Sequence, residues 1–240
     1  MARAKDAVSR HEGLAQVAIV LAAVSSYELL RRAIAPNWPA ALAHAHEITS
    51  WERAADLRWE APLQQAFLQV PELVRALNVF YLAGHFVLTA GFFCWLYRRS
   101  RPGFRIFRNG FLAATALALA VHWAFPTAPP RLAGVGLVDT LHQLSRINIG
   151  SPAASAFSDP VAAVPSLHVG WALGVGLGLA IYARPLGWKL VGALYPLAVA
   201  VTVIVTGNHF VLDAIAGMAV MAAGLGSAKM FAASRGGAVR

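Results

Sequence analysis

The strongest fold signal in the chain lies at residues 188–231, which read WKLVGALYPLAVAVTVIVTGNHFVLDAIAGMAVMAAGLGSAKMF. Two long apolar runs are separated here by the short polar segment TGNH. A helix of about 20 mostly apolar residues is long enough to cross a bilayer. The pattern therefore predicts two membrane-spanning helices joined by a tight polar turn.

The composition extends this prediction to the whole chain. Of the 240 residues, 58% are hydrophobic and 13% are charged, and the mean hydropathy is +0.57. Soluble domains are about 45–50% apolar and about 25% charged. The apolar stretches give six predicted spans, at residues 14–30, 73–97, 106–125, 164–182, 188–206 and 210–231. We therefore expect an all-α fold, an integral membrane six-helix bundle.

Residues 39–69 have a mixed pattern, in which tryptophans and aliphatic residues alternate with charged ones. Such a pattern favours amphipathic helix lying in the interface, with tryptophans at headgroup depth. The expected organisation is an anchor span with this interfacial segment in residues 1–72, a catalytic transmembrane bundle in residues 73–231 and a cytoplasmic tail in residues 232–240.

Charge predicts the orientation in the membrane. With six spans, 13 of the 20 Lys and Arg residues fall on the side of the two termini and seven on the other side. Lys and Arg concentrate on the cytoplasmic side. We therefore expect a multi-pass plasma membrane protein with both termini in the cytoplasm. The net charge of +9 does not indicate nucleic-acid binding, because the basic residues lie between apolar spans.

Three polar segments meet at the predicted outer face, and the last of them carries His209 and Asp213. Their i,i+4 spacing places both side chains on one face of a helix. A carboxylate bonded to one imidazole nitrogen fixes the tautomer and leaves the other nitrogen free as a nucleophile. The alternative interpretation is a buried His–Asp pair that only packs helices.

The second segment is PSLH at residues 165–168. Pro165 suits the first turn of a helix, and the N–H groups that follow form an anion site. Ser166 adds a hydroxyl and His168 a proton donor. The alternative is an ordinary proline-initiated helix with a histidine near the headgroups.

The first segment in chain order, PTAPPR at residues 126–131, carries Arg131 after a stiff turn. A guanidinium there would bind two phosphate oxygens, or alternatively touch lipid headgroups. Together the three segments supply a nucleophile, an acid, an anion-binding helix end and a cation, which is typical of phosphoryl transfer. No metal-ligand cluster or cofactor motif accompanies them, so none is expected.

The order PTAPPR, PSLH and GNHxxxD resembles the type-2 phosphatidic acid phosphatase superfamily. It looks most like the branch of inositol phosphorylceramide synthases and related actinobacterial membrane proteins. The resemblance covers residues 73–231 and implies a six-helix bundle with metal-independent catalysis through a phosphohistidine.

By position, the resemblance makes His209 the nucleophile, Asp213 its orienter and His168 the acid for the leaving group. It implies that Arg131 and Ser166 hold the phosphate. Asn208, Tyr81 and His85 are further candidates for substrate binding. Tyr81 and His85 share a helix face near the outer end of the second span, and the pattern favours a structural hydrogen bond for them over a substrate contact.

The sequence departs from the commoner motifs of that superfamily. Ala124 stands where the first motif has lysine, Thr202 and Val203 replace Ser-Arg, and Leu167 replaces the glycine of Pro-Ser-Gly-His. With fewer cations, phosphate binding must depend more on backbone N–H groups.

The predicted function is a membrane phosphatase or phosphotransferase that cleaves a lipid-linked phosphate ester at the outer face. A lipid headgroup phosphotransferase, moving inositol phosphate or a similar group to an alcohol acceptor, is the close alternative. Two rivals remain: a non-catalytic membrane anion-binding or transport protein, and a haem carrier using His85 and His122.

Overall fold

The computed structural model describes residues 37–147 and 161–237, together with scattered positions between residues 12 and 29. The chain divides into two compact units, Met1–Ala35 and Pro36–Arg240. In the first unit the described positions are helical. The predicted span at residues 14–30 lies mostly outside the described residues, and so does the predicted loop between residues 148 and 160.

The second unit is helical, and no strand occurs in its described residues. In chain order its helices are α1 Trp38–Ala54, α2 Glu60–Leu68, α3 Pro71–Val79, a π-helical turn Phe80–Gly84, α4 His85–Arg99, α5 Arg101–Ala124, a 3₁₀ turn Pro130–Leu132, α6 Thr140–Gln143, α7 Leu167–Tyr182, α8 Leu186–Val205 and α9 Val211–Gly237.

Within the described part of the chain, four helices are long and apolar enough to cross a membrane: Pro71–Arg99, Arg101–Ala124, Leu186–Val205 and Val211–Ser234. This confirms an integral membrane protein. Helix α7 is apolar but has only 16 residues, which gives about 24 Å of helix. The count of six spans therefore stays a prediction.

Helix α5 begins earlier than the apolar pattern predicts. Its expected start was residue 106, because Arg101 and Arg105 interrupt the apolar run. In the structure Ser100 is the N-cap, and its hydroxyl accepts a hydrogen bond from the N–H of Gly103 at 3.1 Å. This cap satisfies a donor that the first helical turn otherwise leaves unpaired, so the helix extends into the basic segment.

The interfacial segment forms two helices, α1 and α2, where one amphipathic stretch was predicted. Trp51 and Trp59 are exposed on it, as expected for side chains at headgroup depth. The other face of α1 is buried through Ala41, Ala45 and Ile48, which pack against residues that include Ala128 and Phe210. The segment thus packs on one end of the helical bundle.

Close packing of α7 on α9 depends on a glycine. A Cβ at Gly217 of α9 would overlap the carbonyl oxygen of Ser166 at the start of α7. Small residues let membrane helices approach closely. Because the backbones touch at this point, the start of α7 lies beside the first turns of α9.

Candidate active site

The polar turn between α8 and α9 is built around Gly207. Its φ of +72° is the left-handed conformation that glycine adopts at low cost. The carbonyl of Gly207 accepts a hydrogen bond from the N–H of Arg131 at 3.0 Å. A side chain at this position would approach Arg131 Cβ to 3.0 Å. Glycine therefore lets the turn contact the segment that carries Arg131.

His209 and Asp213 form the contact that their spacing predicted. His209 Nδ1 lies 3.3 Å from Asp213 Oδ2 and 2.9 Å from the carbonyl oxygen of Ala163. Both partners are acceptors, so Nδ1 carries the hydrogen and Nε2 keeps its lone pair. The same Asp213 oxygen accepts the N–H of Phe210 at 2.9 Å, which fixes the carboxylate.

The protonation state of His209 follows from its surroundings. Burial lowers its pKa, the hydrogen bond to the Ala163 carbonyl opposes that effect, and the charge of Arg131 adds to it, giving about 4. His209 is only 5% exposed. At neutral pH the imidazole is therefore uncharged, which is the form that a nucleophile requires.

Ala163 reaches His209 because the segment before α7 pairs with the segment after α5. The N–H of Thr127 donates to the carbonyl of Val161 at 2.6 Å, and the N–H of Ala163 donates to the carbonyl of Thr127 at 3.1 Å. This short parallel bridge holds two of the three predicted segments together.

His168 lies in the first turn of α7, with its ring centroid 6.0 Å from that of His209. It stacks on Tyr81 at 4.4 Å. Its Nε2 is buried and has no hydrogen-bond partner among the described residues. A second imidazole with an uncommitted nitrogen thus stands next to the His209–Asp213 pair.

Ser166 differs from the prediction. Helix α7 begins at Leu167, so Pro165 precedes the cap instead of occupying the first turn. Ser166 is the N-cap, where its hydroxyl accepts from the N–H of Val169 at 3.4 Å and its own N–H donates to the Asp213 carbonyl at 2.9 Å. The side chain is fully buried. Ser166 thus caps α7 and bonds to α9 through its N–H, and its contact with phosphate stays a prediction.

Arg131 is held in place by two residues. Its Nε donates to Asn208 Oδ1 at 3.0 Å, and its Nη1 donates to Asp139 Oδ2 at 2.9 Å. Asn208 in turn donates to the Thr206 hydroxyl at 2.8 Å. Asn208 was predicted to bind substrate, but its amide positions Arg131 within the described site. No hydrogen bond of Arg131 Nη2 occurs among residues 37–147 and 161–237.

Tyr81 and His85 both lie at the π-helical turn, and both rings contact His168, with centroid distances of 4.4 Å and 5.1 Å. Tyr81 stacks on His168, whereas His85 is fully buried and its Nδ1 lies 2.9 Å from the Tyr195 hydroxyl of α8. This is the structural hydrogen bond that the pattern favoured for His85. His122 Nε2 donates to the Pro165 carbonyl at 3.2 Å.

Sequence reasoning missed Asp139 and three residues of the interfacial segment, Glu52, Glu60 and Gln64. All three are nearly completely buried, and they bond to backbone groups beside His209. The sequence showed them only as polar members of an amphipathic stretch. No local signal separates Glu52 from Glu47, which is exposed.

The fold and the site define an integral membrane protein with a histidine-based site at one end of its helices. The model of the PAP2 superfamily matches residues 46–227, and the chain belongs to this superfamily. The match begins within α1 and therefore includes most of the interfacial segment. The resemblance expected from the motifs covered residues 73–231 and left this segment out.

The chain was also compared with solved structures and with curated protein sequences. The crystal structure of Aquifex aeolicus LpxE is similar at 16% identity, covering 68% of this chain and 94% of that chain with a TM-score of 0.47. A comparison with curated protein sequences gives no significant match.

Proposed function

We propose that the protein is a membrane phosphatase that cleaves a lipid-linked phosphate ester through a phosphohistidine on His209. Membership of the PAP2 superfamily supports the phosphatase class. The mechanism is supported by two contacts of His209 Nδ1, one with the Asp213 carboxylate and one with the Ala163 carbonyl oxygen. These contacts leave Nε2 as the nucleophilic atom.

The proposed reaction has two steps. His209 Nε2 attacks phosphorus, the ester P–O bond breaks, and protonated His168 gives its proton to the departing alkoxide. Water then attacks the phosphohistidine, its proton passes to His168, and the P–N bond breaks to release phosphate and neutral His209. The Nη2 group of Arg131 neutralises charge on the phosphoryl oxygens.

The direct test is to trap the intermediate. Purified protein mixed with a ³²P-labelled lipid phosphate and quenched in alkali should carry label that is stable to base and labile to acid. The same protein with Asp213→Asn should accumulate less label. Turnover without any covalent label in either protein would contradict the phosphohistidine.

Hydrolysis and transfer differ in whether water or an alcohol resolves the phosphohistidine. The likeness of the motifs to the inositol phosphorylceramide synthase branch makes inositol-type acceptors the first to test. A lipid-phosphate panel with and without such acceptors, measuring released phosphate and new lipid, separates a phosphatase from a headgroup transferase. Binding without turnover across the panel would favour an anion-binding or transport protein.

The reaction is proposed to need no metal ion. No group of three or more potential metal ligands occurs among the described residues, and the histidines and Arg131 supply the groups that the steps require. Turnover should therefore be unchanged by EDTA. Loss of turnover with EDTA and its recovery with Mg²⁺ would contradict this.

We also propose that the site faces outward, on the basis of the 13-to-7 charge asymmetry. In a Cys94→Ser background, Ala55→Cys lies in the loop between α1 and α2, and Gly187→Cys lies at the opposite end of the bundle. Both positions are exposed. An impermeant maleimide should label Ala55→Cys in intact cells and Gly187→Cys only after lysis. The reverse pattern would place the site in the cytoplasm.

A further inference from the structure

The turn that carries His209 has two helix ends whose backbone groups need partners. The last carbonyls of α8 and the first N–H groups of α9 have no partner within their own helices. Leaving such groups buried and without hydrogen-bond partners destabilises the folded protein. Side chains of the interfacial segment supply partners on both flanks.

On the α8 flank, the partner is Gln64 of α2. Its Nε2 donates to the carbonyls of Val205 and Val138, each at 3.0 Å. Its Oε1 accepts from the N–H of Val138 at 2.7 Å. The Gln64 side chain therefore ties the end of α8 to the loop whose next residue, Asp139, holds Arg131. Gln64 is only 2% exposed.

On the α9 flank, the partners are two glutamates. Glu60 Oε1 accepts from the N–H of Val211 at 3.1 Å, and Glu52 Oε1 accepts from the N–H of Leu212 at 2.9 Å. Asp213 takes the preceding N–H, that of Phe210. Three carboxyl groups thus receive three successive N–H groups at the end of α9 that bears the positive end of its dipole.

The protonation state of Glu52 follows from its surroundings. Burial, then the hydrogen bond to Glu60, raises the pKa of Glu52 to about 8, although the bond from Leu212 opposes the rise. The negative charges of Glu60 and Asp213 add to the upward shift. At neutral pH Glu52 is therefore protonated, and the two glutamates are joined through a shared hydrogen bond. The substitution Glu52→Gln would reproduce this uncharged side chain.

We propose that Gln64, Glu60 and Glu52 are positioning residues that hold the His209 turn from both flanks. The interfacial segment is then part of the catalytic apparatus, without touching the substrate. This inference rests on the proposed function for its kinetic readout. In this role the three side chains hold His209 in place. Gln64 also bonds to Val138, next to the Asp139 that holds Arg131.

The kinetic test uses neighbouring residues as matched controls. Gln64→Ala, Glu60→Ala and Glu52→Ala should each lower kcat by about 10- to 100-fold per folded molecule, since small displacements of reacting groups carry penalties of this size. Gln65→Ala and Glu47→Ala change exposed residues of α2 and α1 and should leave kcat unchanged. Glu60→Gln and Glu52→Gln keep an oxygen acceptor and should recover kcat to within about threefold.

A readout without substrate separates this inference from the proposed function. In ¹⁵N-histidine NMR of the full chain in detergent micelles, the His209 resonance, identified by its absence in His209→Gln, should show the Nδ1–H tautomer. That signature should persist in Gln65→Ala and Glu52→Gln and be lost or averaged in Gln64→Ala and Glu60→Ala. If the protein hydrolyses no lipid phosphate while the NMR contrast holds, the proposed function fails and the positioning role stands.

The positioning role is overturned by either of two results. One is a folded Gln64→Ala or Glu60→Ala protein with the parental kcat and the parental His209 tautomer. The other is an alanine variant whose loss is confined to melting temperature or yield, with kcat per folded molecule unchanged. Where an alanine variant does not fold, the methionine variant at the same position, which keeps the side-chain volume and removes its hydrogen bonds, is judged by the same two outcomes.

Discussion

The two ends of the helical bundle are built in different ways. At the site end, buried polar side chains dominate, and they are joined by hydrogen bonds between segments far apart in sequence: Glu52, Glu60, Gln64, Asn78, Thr140, Asn208, His209 and Asp213. A second cluster, buried between α4, α5, α7 and α9, consists of Phe92, Leu96, Phe104, Phe107, Phe111, Ala114, Val175 and Met221. Directional bonds fix atoms at the site, whereas the apolar cluster is held by packing alone.

This contrast matters because the two kinds of contact serve different requirements. Apolar packing is non-directional and tolerates changes that preserve volume. A nucleophile has to be held at a defined angle and distance, and only hydrogen bonds to fixed partners achieve this. We therefore expect changes at the site end to alter rate, and changes in the apolar cluster to alter stability. The predictions below are ordered by their effect on rate.

Replacing the nucleophile should have the largest effect. His209→Ala is expected to lower turnover by more than about 10⁴-fold, because no other group can accept the phosphoryl group. The acid-labile phosphoenzyme should disappear with it. Activity per monodisperse molecule checks the prediction. Full specific activity in a well-folded His209→Ala protein would mean that the histidine only packs helices.

Removal of the second imidazole should matter less and should depend on the leaving group. His168→Ala is expected to lower turnover of an alkyl phosphate ester by about 10²–10⁴-fold, the usual contribution of acid–base assistance. An aryl phosphate needs little protonation of its leaving group, so its turnover should fall much less. The ratio of the two rates is the measurement. Equal losses for both substrates would exclude His168 as the acid.

The pH dependence of His209 should reflect its burial. Because its pKa is lowered from about 6.5 to about 4, the unfolded chain binds more protons between those values. The contribution of His209 to the free energy of unfolding is therefore fully present above about pH 6.5 and is lost as the pH falls towards 4. An NMR titration of the His209 ring should give a midpoint near 4. A midpoint near 6.5 would indicate an exposed ring.

A small effect is expected at Asp139. Asp139→Asn keeps the N-cap of α6 through its one amide oxygen, since asparagine caps as well as aspartate. It loses the oxygen that accepts from Arg131 Nη1, although Asn208 still holds Arg131 Nε. It removes a negative charge beside the proposed phosphate position, so KM should fall by about two- to fivefold with kcat nearly unchanged. A large loss of kcat would instead give the Asp139 charge a role in the chemical step.

The smallest effect on rate is expected in the apolar cluster. Phe107 is buried there, and Phe107→Ala should cost about 3–5 kcal/mol of stability through the cavity it leaves. Turnover per folded molecule should stay at the parental value. Thermal unfolding together with specific activity tests both parts. A loss of rate as large as that for His168→Ala would remove the distinction between the two ends.

Several parts of the site were predictable because they depend on local geometry. The i,i+4 spacing that predicted the His209–Asp213 contact is a property of any helix. The placement of the three polar segments at one end follows from counting apolar spans. The N-cap position of Ser166 was not predicted, because it depends on where α7 begins.

Only the tertiary structure separates residues that look alike in sequence. Glu47 and Glu52, and likewise Gln64 and Gln65, lie within a few positions of each other in one amphipathic segment, yet Glu52 and Gln64 are buried against the His209 turn and the other two are exposed. Asp139 pairs with Arg131 only because the loop between them folds back.

The sequence by itself predicted that this is a membrane protein, and it identified the histidine motifs of the candidate site. An apolar run long enough to cross a membrane can be recognised from its own residues. Each histidine motif is likewise defined by residues a few positions apart. The tertiary structure decided which polar side chains hold those motifs in place. Their partners are backbone groups as many as 160 positions away along the chain, and such contacts exist only once the helices have packed.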